Sequence, residues 1–150
     1  MYTNLRLGEI LIRFVLYGIL GFCVEIVYTA IIDSFKNKDW RLAGTTYLWM
    51  FPIYGLSVFL FEPVHDIVRE LHLLIRFWAW SLGITFVEFF TGWMIKKMTG
   101  LCPWDYSKSR FAINEYIRWD YFPLWGTFGL LLEFVHDFFV LLSPAILKLF

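Results

Sequence analysis

Residues 51–66, FPIYGLSVFLFEPVHD, and residues 122–137, FPLWGTFGLLLEFVHD, align without a gap at eight identities in sixteen positions. Apolar segments share letters easily, but these matches include Pro, Glu, His and Asp, residues that are rare where a chain crosses a membrane. The segments upstream match in the same order. Leu11-Ile12-Arg13-Phe14 lies over Leu74-Ile75-Arg76-Phe77, and Val24-Glu25 over Val87-Glu88, all at an offset of 63. The pattern predicts two copies of one helical hairpin, repeat 1 over about 10–66 and repeat 2 over about 73–137. Each copy crosses twice, so both would enter from the same side. Such copies are related by a pseudo-two-fold axis along the membrane normal, a parallel repeat of the kind found in transporters.

The rest of the chain suits that setting. Of its 150 residues 59% are hydrophobic and 17% charged, well beyond the apolar share of a soluble domain. Thirteen Lys and Arg balance thirteen Asp and Glu, which removes the basic surface of a nucleic-acid binder and the acidic excess of a disordered tail. Cys23, in an apolar run, and Cys102, in a loop, do not make a disulfide framework. A spanning helix needs roughly 20 apolar residues, and four segments qualify, at about 10–32, 47–67, 73–95 and 121–142. The first exceeds a signal-peptide core, carries Glu25 and has no small-residue cleavage site after it, so it reads as retained. The expected fold is all-α: a polytopic integral membrane four-helix bundle of two tandem two-helix hairpin repeats, one domain over residues 1–150.

Basic residues set the expected sidedness. Arg6, Arg13, Arg69, Arg76 and Lys148 lie towards one side, and Lys36, Lys38, Arg41, Lys96, Lys97, Lys108, Arg110 and Arg118 towards the other. The excess puts the 33–46 and 96–120 loops in the cytoplasm and both termini outside.

Small and acidic residues share helix faces. Gly18, Gly21, Glu25 and Thr29 recur at spacings of three and four, as do Ser81, Thr85, Glu88 and Gly92, and Gly126, Gly129, Glu133 and Asp137; the second span adds Gly55, Glu62 and Asp66. Small residues let membrane helices approach, and an acid on that face points away from lipid. Arg13 and Arg76 match the depth of Glu62, His65, Asp66 and of Glu133, His136, Asp137, so Arg–carboxylate pairs are expected. They read either as helix-end ties or as groups that handle protons or anions. Glu25 and Glu88 stand twelve residues beyond those arginines, about 18 Å along a helix, out of reach of them. Facing each other without a cation they would make a substrate- or proton-binding pair. The bland reading is a carboxyl hydrogen-bonded to a carbonyl, Thr29 or Thr85.

Glu62-x-x-His65 and Glu133-x-x-His136, with one Glu from each other helix, reproduce the ligand inventory of a di-iron bundle. The levels disagree by roughly 8 to 12 Å, so the reading is no metal, with Glu62, His65, Glu133 and His136 as the set a metalloprotein would use. There is no phosphate loop, no G-x-S-x-G elbow and no zinc spacing, so no cofactor is implied, hydrolysis is disfavoured and any ATPase must be a separate chain.

With Cys23-Val24-Glu25, Phe51-Pro52-Ile53-Tyr54-Gly55, Val87-Glu88-Phe89-Phe90-Thr91-Gly92 and Trp104-Asp105-Tyr106-Ser107 in view, the chain resembles the ABC-transporter permease family of the CmpB type. It looks most like the branch that contains transmembrane protein 229. The resemblance runs from about residue 14 to residue 133 and is most specific at Pro103–Ser107. It implies a small multi-pass membrane protein without an assigned chemistry, and it marks Glu25, Gly55, Glu88, Trp104, Asp105 and Tyr106 as signature positions. His65 and His136 are not among them. Where the family pattern has Asn after Phe111, this chain has Ala112, with Asn114 nearby.

The expected function is permease-like handling of a small solute or lipid, with Glu25, Glu88, Asp105, Tyr106 and Trp104 as the candidate site. The loop carrying the last three would cap the helix ends. Four helices of this size give too little wall for a pore, so a homo-oligomer or a membrane partner subunit is expected beside the bilayer itself. The alternatives are a non-transporting structural or assembly factor and an intramembrane metalloprotein. Enzymatic activity is not indicated.

Overall fold

The computed structural model describes residues 7–149. These form α1 (Leu7–Asn37), α2 (Met50–Gly55), α3 (Ser57–Val68), α4 (Leu73–Thr99) and α5 (Phe122–Leu147), with a 3-10 turn at Trp119–Tyr121. The fold is all-α. Four helical segments are long and apolar enough to cross a membrane: Leu7–Asn37, Met50–Val68, Leu73–Thr99 and Trp119–Leu147.

The spans differ from the expected ones at their ends. Where 32, 95 and 142 were the expected last residues, the helices run on to Asn37, Thr99 and Leu147. Hydropathy falls where lipid ends, whereas the helix continues as long as its backbone bonds are satisfied, and neither polar turn, Asp33–Asn37 nor Lys96–Thr99, contains a Gly or Pro to break it. Stops come from backbone chemistry. Lys38 adopts a positive φ of 55° after α1. Gly100, at φ 82°, closes α4 by donating its N–H to the Lys96 carbonyl at 2.8 Å. At its start, His72 Nδ1 accepts from the Leu74 amide at 3.3 Å.

The second span carries a break that its apolar pattern does not announce. Leu56 separates α2 from α3, yet its amide still bonds the Pro52 carbonyl at 2.9 Å and its carbonyl accepts from Leu60 at 3.0 Å. The chain therefore bends there without exposing backbone to lipid. Pro63 lies inside α3 and Pro144 inside α5. Each lacks the N–H of one helical rung; at Pro144 the Val140 carbonyl accepts the Ser143 hydroxyl at 3.5 Å instead.

Burial departs from that of a soluble protein, with polar and charged side chains buried beside apolar ones that include Tyr17, Trp80 and Ile95. Arg13, Glu62, His65, Ser81, Glu133, His136 and Ser143 are buried, while Ile19, Val27, Phe86, Leu131 and Phe134 are exposed. Only 17% to 33% of each span's most apolar window is covered by the chain itself. The uncovered apolar surface is what lipid tails would contact.

The chain divides into two compact units, Met1–Val64 with Asp137–Phe150, and His65–His136. In the first, Gly18 and Gly21 of α1 give room to the rings of Phe51 and Tyr54, and Gly55 to that of Phe14. Tyr17 meets Phe139 edge-on at 5.1 Å, which seats the end of α5 on α1. In the second, Gly126 lies against the Phe77 ring and the Ser81 hydroxyl, and Gly129 against Trp80. A Cβ at Gly126 would stand 2.6 Å from Phe77 Cε2, and one at Gly55 would stand 2.8 Å from Phe14 Cε2. These close approaches are what small residues on a membrane helix permit.

Candidate functional site

Arg13 forks onto Glu62: Nε donates to Oε1 at 2.8 Å and Nη2 to Oε2 at 3.2 Å, while Nη1 reaches the Ser143 hydroxyl at 3.1 Å. The two side chains are 1% and 4% exposed. Burying a guanidinium is tolerable only with this bidentate geometry and a third acceptor on its remaining donors. Arg76 makes the matching contact with Glu133: Nε donates to Oε1 at 3.1 Å and Nη2 pairs with Oε2. Here the third partner sits on the carboxylate, since Trp80 Nε1 donates to Glu133 Oε1 at 2.7 Å. Both ion pairs join the residues that the alignment superposes. Trp80 itself falls on Tyr17 at the offset of 63, a match that the sequence offered and residue type concealed.

Glu25 and Glu88 each accept hydrogen bonds from the loop that follows their helix. The Thr46 hydroxyl donates to Glu25 Oε2 at 2.6 Å. Beside it, the Thr29 hydroxyl donates to the Thr45 carbonyl at 2.9 Å and accepts from the Thr45 amide at 2.9 Å, so the 38–49 loop lies against α1. A Cβ on Gly44 would collide with the Ile26 carbonyl, which is why the loop can lie so close there. Glu88 uses both oxygens: Tyr106 Oη donates to Oε1 at 3.0 Å and Trp125 Nε1 to Oε2 at 2.9 Å. The partners expected from sequence, Thr29 and Thr85, do not hold the acids. The hydroxyls of Thr85 and of Ser81 are buried without a hydrogen-bond partner among the described residues.

The Trp104-Asp105-Tyr106 stretch forms the centre of the 100–118 loop. Trp104 Nε1 donates to the Tyr116 carbonyl at 3.0 Å, and both rings lie against Gly92 of α4, where a Cβ would approach them at 3.1 Å. Asp105 Oδ1 accepts from the Ser107 amide at 2.9 Å, which holds its carboxyl below the ordinary value. The Tyr106 amide donates to the Glu115 carbonyl at 3.0 Å. Asn114, near the family's Asn position, accepts the Tyr116 and Ile117 amides at 2.8 and 3.0 Å and so shapes the turn. Lys96, on the last turns of α4, pairs with Glu115 and keeps that carboxyl low. Burial raises the Cys102 thiol, which makes it a poor nucleophile.

Arg118 backs the loop from behind. Its guanidinium pairs with Asp120 at 2.6 Å and stands over the rings of Tyr121, at 4.2 Å, and Tyr106, at 5.6 Å. Tyr106 and Tyr121 meet edge-on at 5.7 Å, and Tyr121 meets Trp125 in the same way at 5.9 Å. Aromatic faces stacked on a cation hold the Tyr106 hydroxyl where Glu88 needs it. Sequence reasoning missed Thr46, Trp125 and Arg118. Trp125 had a signal, because it aligns with Tyr54 inside the repeated segment.

His65 and His136 also come together, with ring centroids 4.4 Å apart and planes at 57°. Asp66 Oδ1 lies 3.8 Å from His65 Nδ1. Asp137, which aligns with Asp66, is half-buried on α5.

Four helical spans long and apolar enough to cross a membrane, two of them tied to their neighbours by buried Arg–Glu pairs, define a multi-pass membrane protein. The chain belongs to the family described as "Putative ABC-transporter type IV", whose model matches residues 12–148. No solved structure matches it.

Proposed function

We propose that the chain is the membrane-spanning component of a transport system for a small solute or lipid, in which Glu25 and Glu88 are the polar groups that answer to substrate or proton. The observation that carries this reading is the bonding of each carboxylate to the loop after its helix, through Thr46 and through Tyr106. An acid that holds a loop by accepting hydrogen bonds releases it when a proton or cation takes its lone pairs. Binding at the acid and movement of the loop are then one event. Asp105 and Trp104 keep the loop in the shape that presents Tyr106.

The tandem-repeat reading rests on matched contacts: Arg13–Glu62 with Arg76–Glu133, and Phe14–Gly55 with Phe77–Gly126. The 229-branch likeness rests on the Pro103–Ser107 stretch. For sidedness, ion pairs occupy Arg13 and Arg76 on one side and Arg41, Lys96 and Arg118 on the other, and the overall excess of basic residues, eight against five, still favours the 38–49 and 100–118 loops on the cytoplasmic side. With no phosphate loop in the chain, an ATPase would be a separate subunit. A homo-oligomer or a membrane partner would supply the missing wall of a pathway.

One observation favours a second reading. Both oxygens of Glu88 are satisfied within the chain, as in an acid that only shapes a surface for assembly with another membrane protein. The two readings part in proteoliposomes, on comparing pH-dependent solute flux of wild type with the Glu25→Gln, Glu88→Gln variant. Flux in wild type that the variant loses supports transport at these acids; no flux in either, or equal flux in both, moves the acids to assembly.

A further inference from the structure

We propose that His65, Asp66 and His136 form a binding site for a divalent transition cation of the zinc class. One ligand atom from each lies within 4.8 Å of the others. The two imidazoles are buried, at 1% and 6% exposure, and the Asp66 side chain is half exposed. Consecutive residues on a helix diverge by about 100°, so His65 points into the packing and Asp66 towards the open side. An ion at their meeting point touches both.

Between His65 and Asp66 the spacing suits a shared ion better than a direct hydrogen bond. The 3.8 Å between His65 Nδ1 and Asp66 Oδ1 is too long for a hydrogen bond. Zinc bonds of about 2.1 Å put two donors of one ion about 3.4 Å apart in a tetrahedral arrangement and no more than about 4.2 Å apart in any. Within the 4.8 Å limit, the widest pair must close by at most about 1.4 Å, shared between two side chains, to reach the tetrahedral spacing. Two neutral imidazoles and one carboxylate are borderline donors that suit Zn, Fe(II) or Mn, and three protein ligands leave a position open to water on the Asp66 side.

This set differs from the di-iron inventory of the sequence. Glu62 and Glu133 are paired with Arg13 and Arg76, whose guanidinium charges would repel an ion bridged by those carboxylates. What remains of the E-x-x-H pattern is its two histidines, which occupy the same position in both aligned segments, joined by the Asp that follows the first. A bound cation would fasten the end of α3 to α5 through its ligands, independently of any transport role for Glu25 and Glu88.

The full chain, purified in detergent and stripped with EDTA, is titrated with Co²⁺. The expected result is one Co²⁺ per chain, with visible d–d bands and no near-UV thiolate band, displaced by Zn²⁺. Asp66→Asn, on the exposed side and harmless to packing, should weaken binding by at least about tenfold, and His136→Gln should abolish it. Zn²⁺ should raise the unfolding midpoint of wild type and leave that of Asp66→Asn in place. If His136→Gln fails to fold, the Asp66→Asn arm still decides. No binding by wild type, a thiolate band, or equal affinity in Asp66→Asn overturns the proposal.

Discussion

The two hairpins share their buried contacts and differ in their loops. Each hairpin sets an Arg–Glu fork beside a glycine that faces a Phe ring. The 38–49 loop then holds its acid with one hydroxyl, whereas the 100–118 loop holds Glu88 through Tyr106, itself steadied by Trp104, Asp105, Asn114 and Arg118. A buried ion pair tolerates little change, because losing either partner strands a charge in low dielectric. A loop outside the spans is free to elaborate. In this molecule the two Arg–Glu forks therefore read as framework, and the unequal loops are where the proposed function would be set.

The largest effect that can break this comparison lies in the framework. Glu62→Ala leaves Arg13, 1% exposed, without a counter-charge and should lower stability by about 3–5 kcal/mol. Arg76 is 24% exposed and can turn part of its charge outward, so Glu133→Ala should be the milder of the two. Unfolding midpoints in detergent measure both; an equal or larger loss at Glu133 would undo the distinction between a sealed and a leaky pair. Next in size is glycine. Gly126→Val meets the Phe77 ring and, closer still, the Ser81 hydroxyl, Gly55→Val meets the Phe14 ring at 2.8 Å, and among the described residues nothing lies within 4 Å of a Cβ at Gly83. The order of destabilisation in the same assay should be Gly126, then Gly55, each on the scale of about 1–3 kcal/mol for overpacking, with Gly83→Ala near silent.

The smallest effect sharpens the contrast between loops. Asp105 and Glu115 titrate below their ordinary values of 3.8 and 4.5, held by the Ser107 amide and by Lys96. A depressed carboxyl contributes order that is complete above its ordinary value and is lost as pH falls through the folded one. Amide protection across 105–116 should therefore hold at neutral pH and decline below about pH 4. In the other loop, Asp39 is held low by Arg41 two residues away, a contact internal to the loop. Its protection should respond less, and a steeper acid response in 38–49 would reverse the assignment.

Much of this framework was legible in the sequence. Depth along the helices put Arg13 and Arg76 level with Glu62, Asp66, Glu133 and Asp137, because charges that enter lipid must find partners at their own depth, and the structure selects Glu62 for Arg13 and Glu133 for Arg76. The glycine faces followed from helical spacing. The bend at Leu56 did not, since hydropathy carries no trace of a backbone that tightens while keeping its bonds. Nor did the partners of the acids. Thr46 and Tyr106 reach Glu25 and Glu88 through loop geometry, which periodicity does not encode, and Arg118 acts by standing over the rings of Tyr121 and of Tyr106, the latter twelve residues back along the loop.

The claim that Glu88 holds the 100–118 loop is tested most directly by hydrogen exchange on wild type and Glu88→Gln. Glutamine keeps one acceptor oxygen, so with Trp125 Nε1 on that oxygen the Tyr106 hydroxyl must turn and accept from the amide, exchanging a charge-assisted bond for a weaker neutral one. The account predicts faster exchange across 104–118, with the spans of α1 and α4 unchanged. Unchanged protection in that loop, or an increase spread evenly over all the helices, would contradict it.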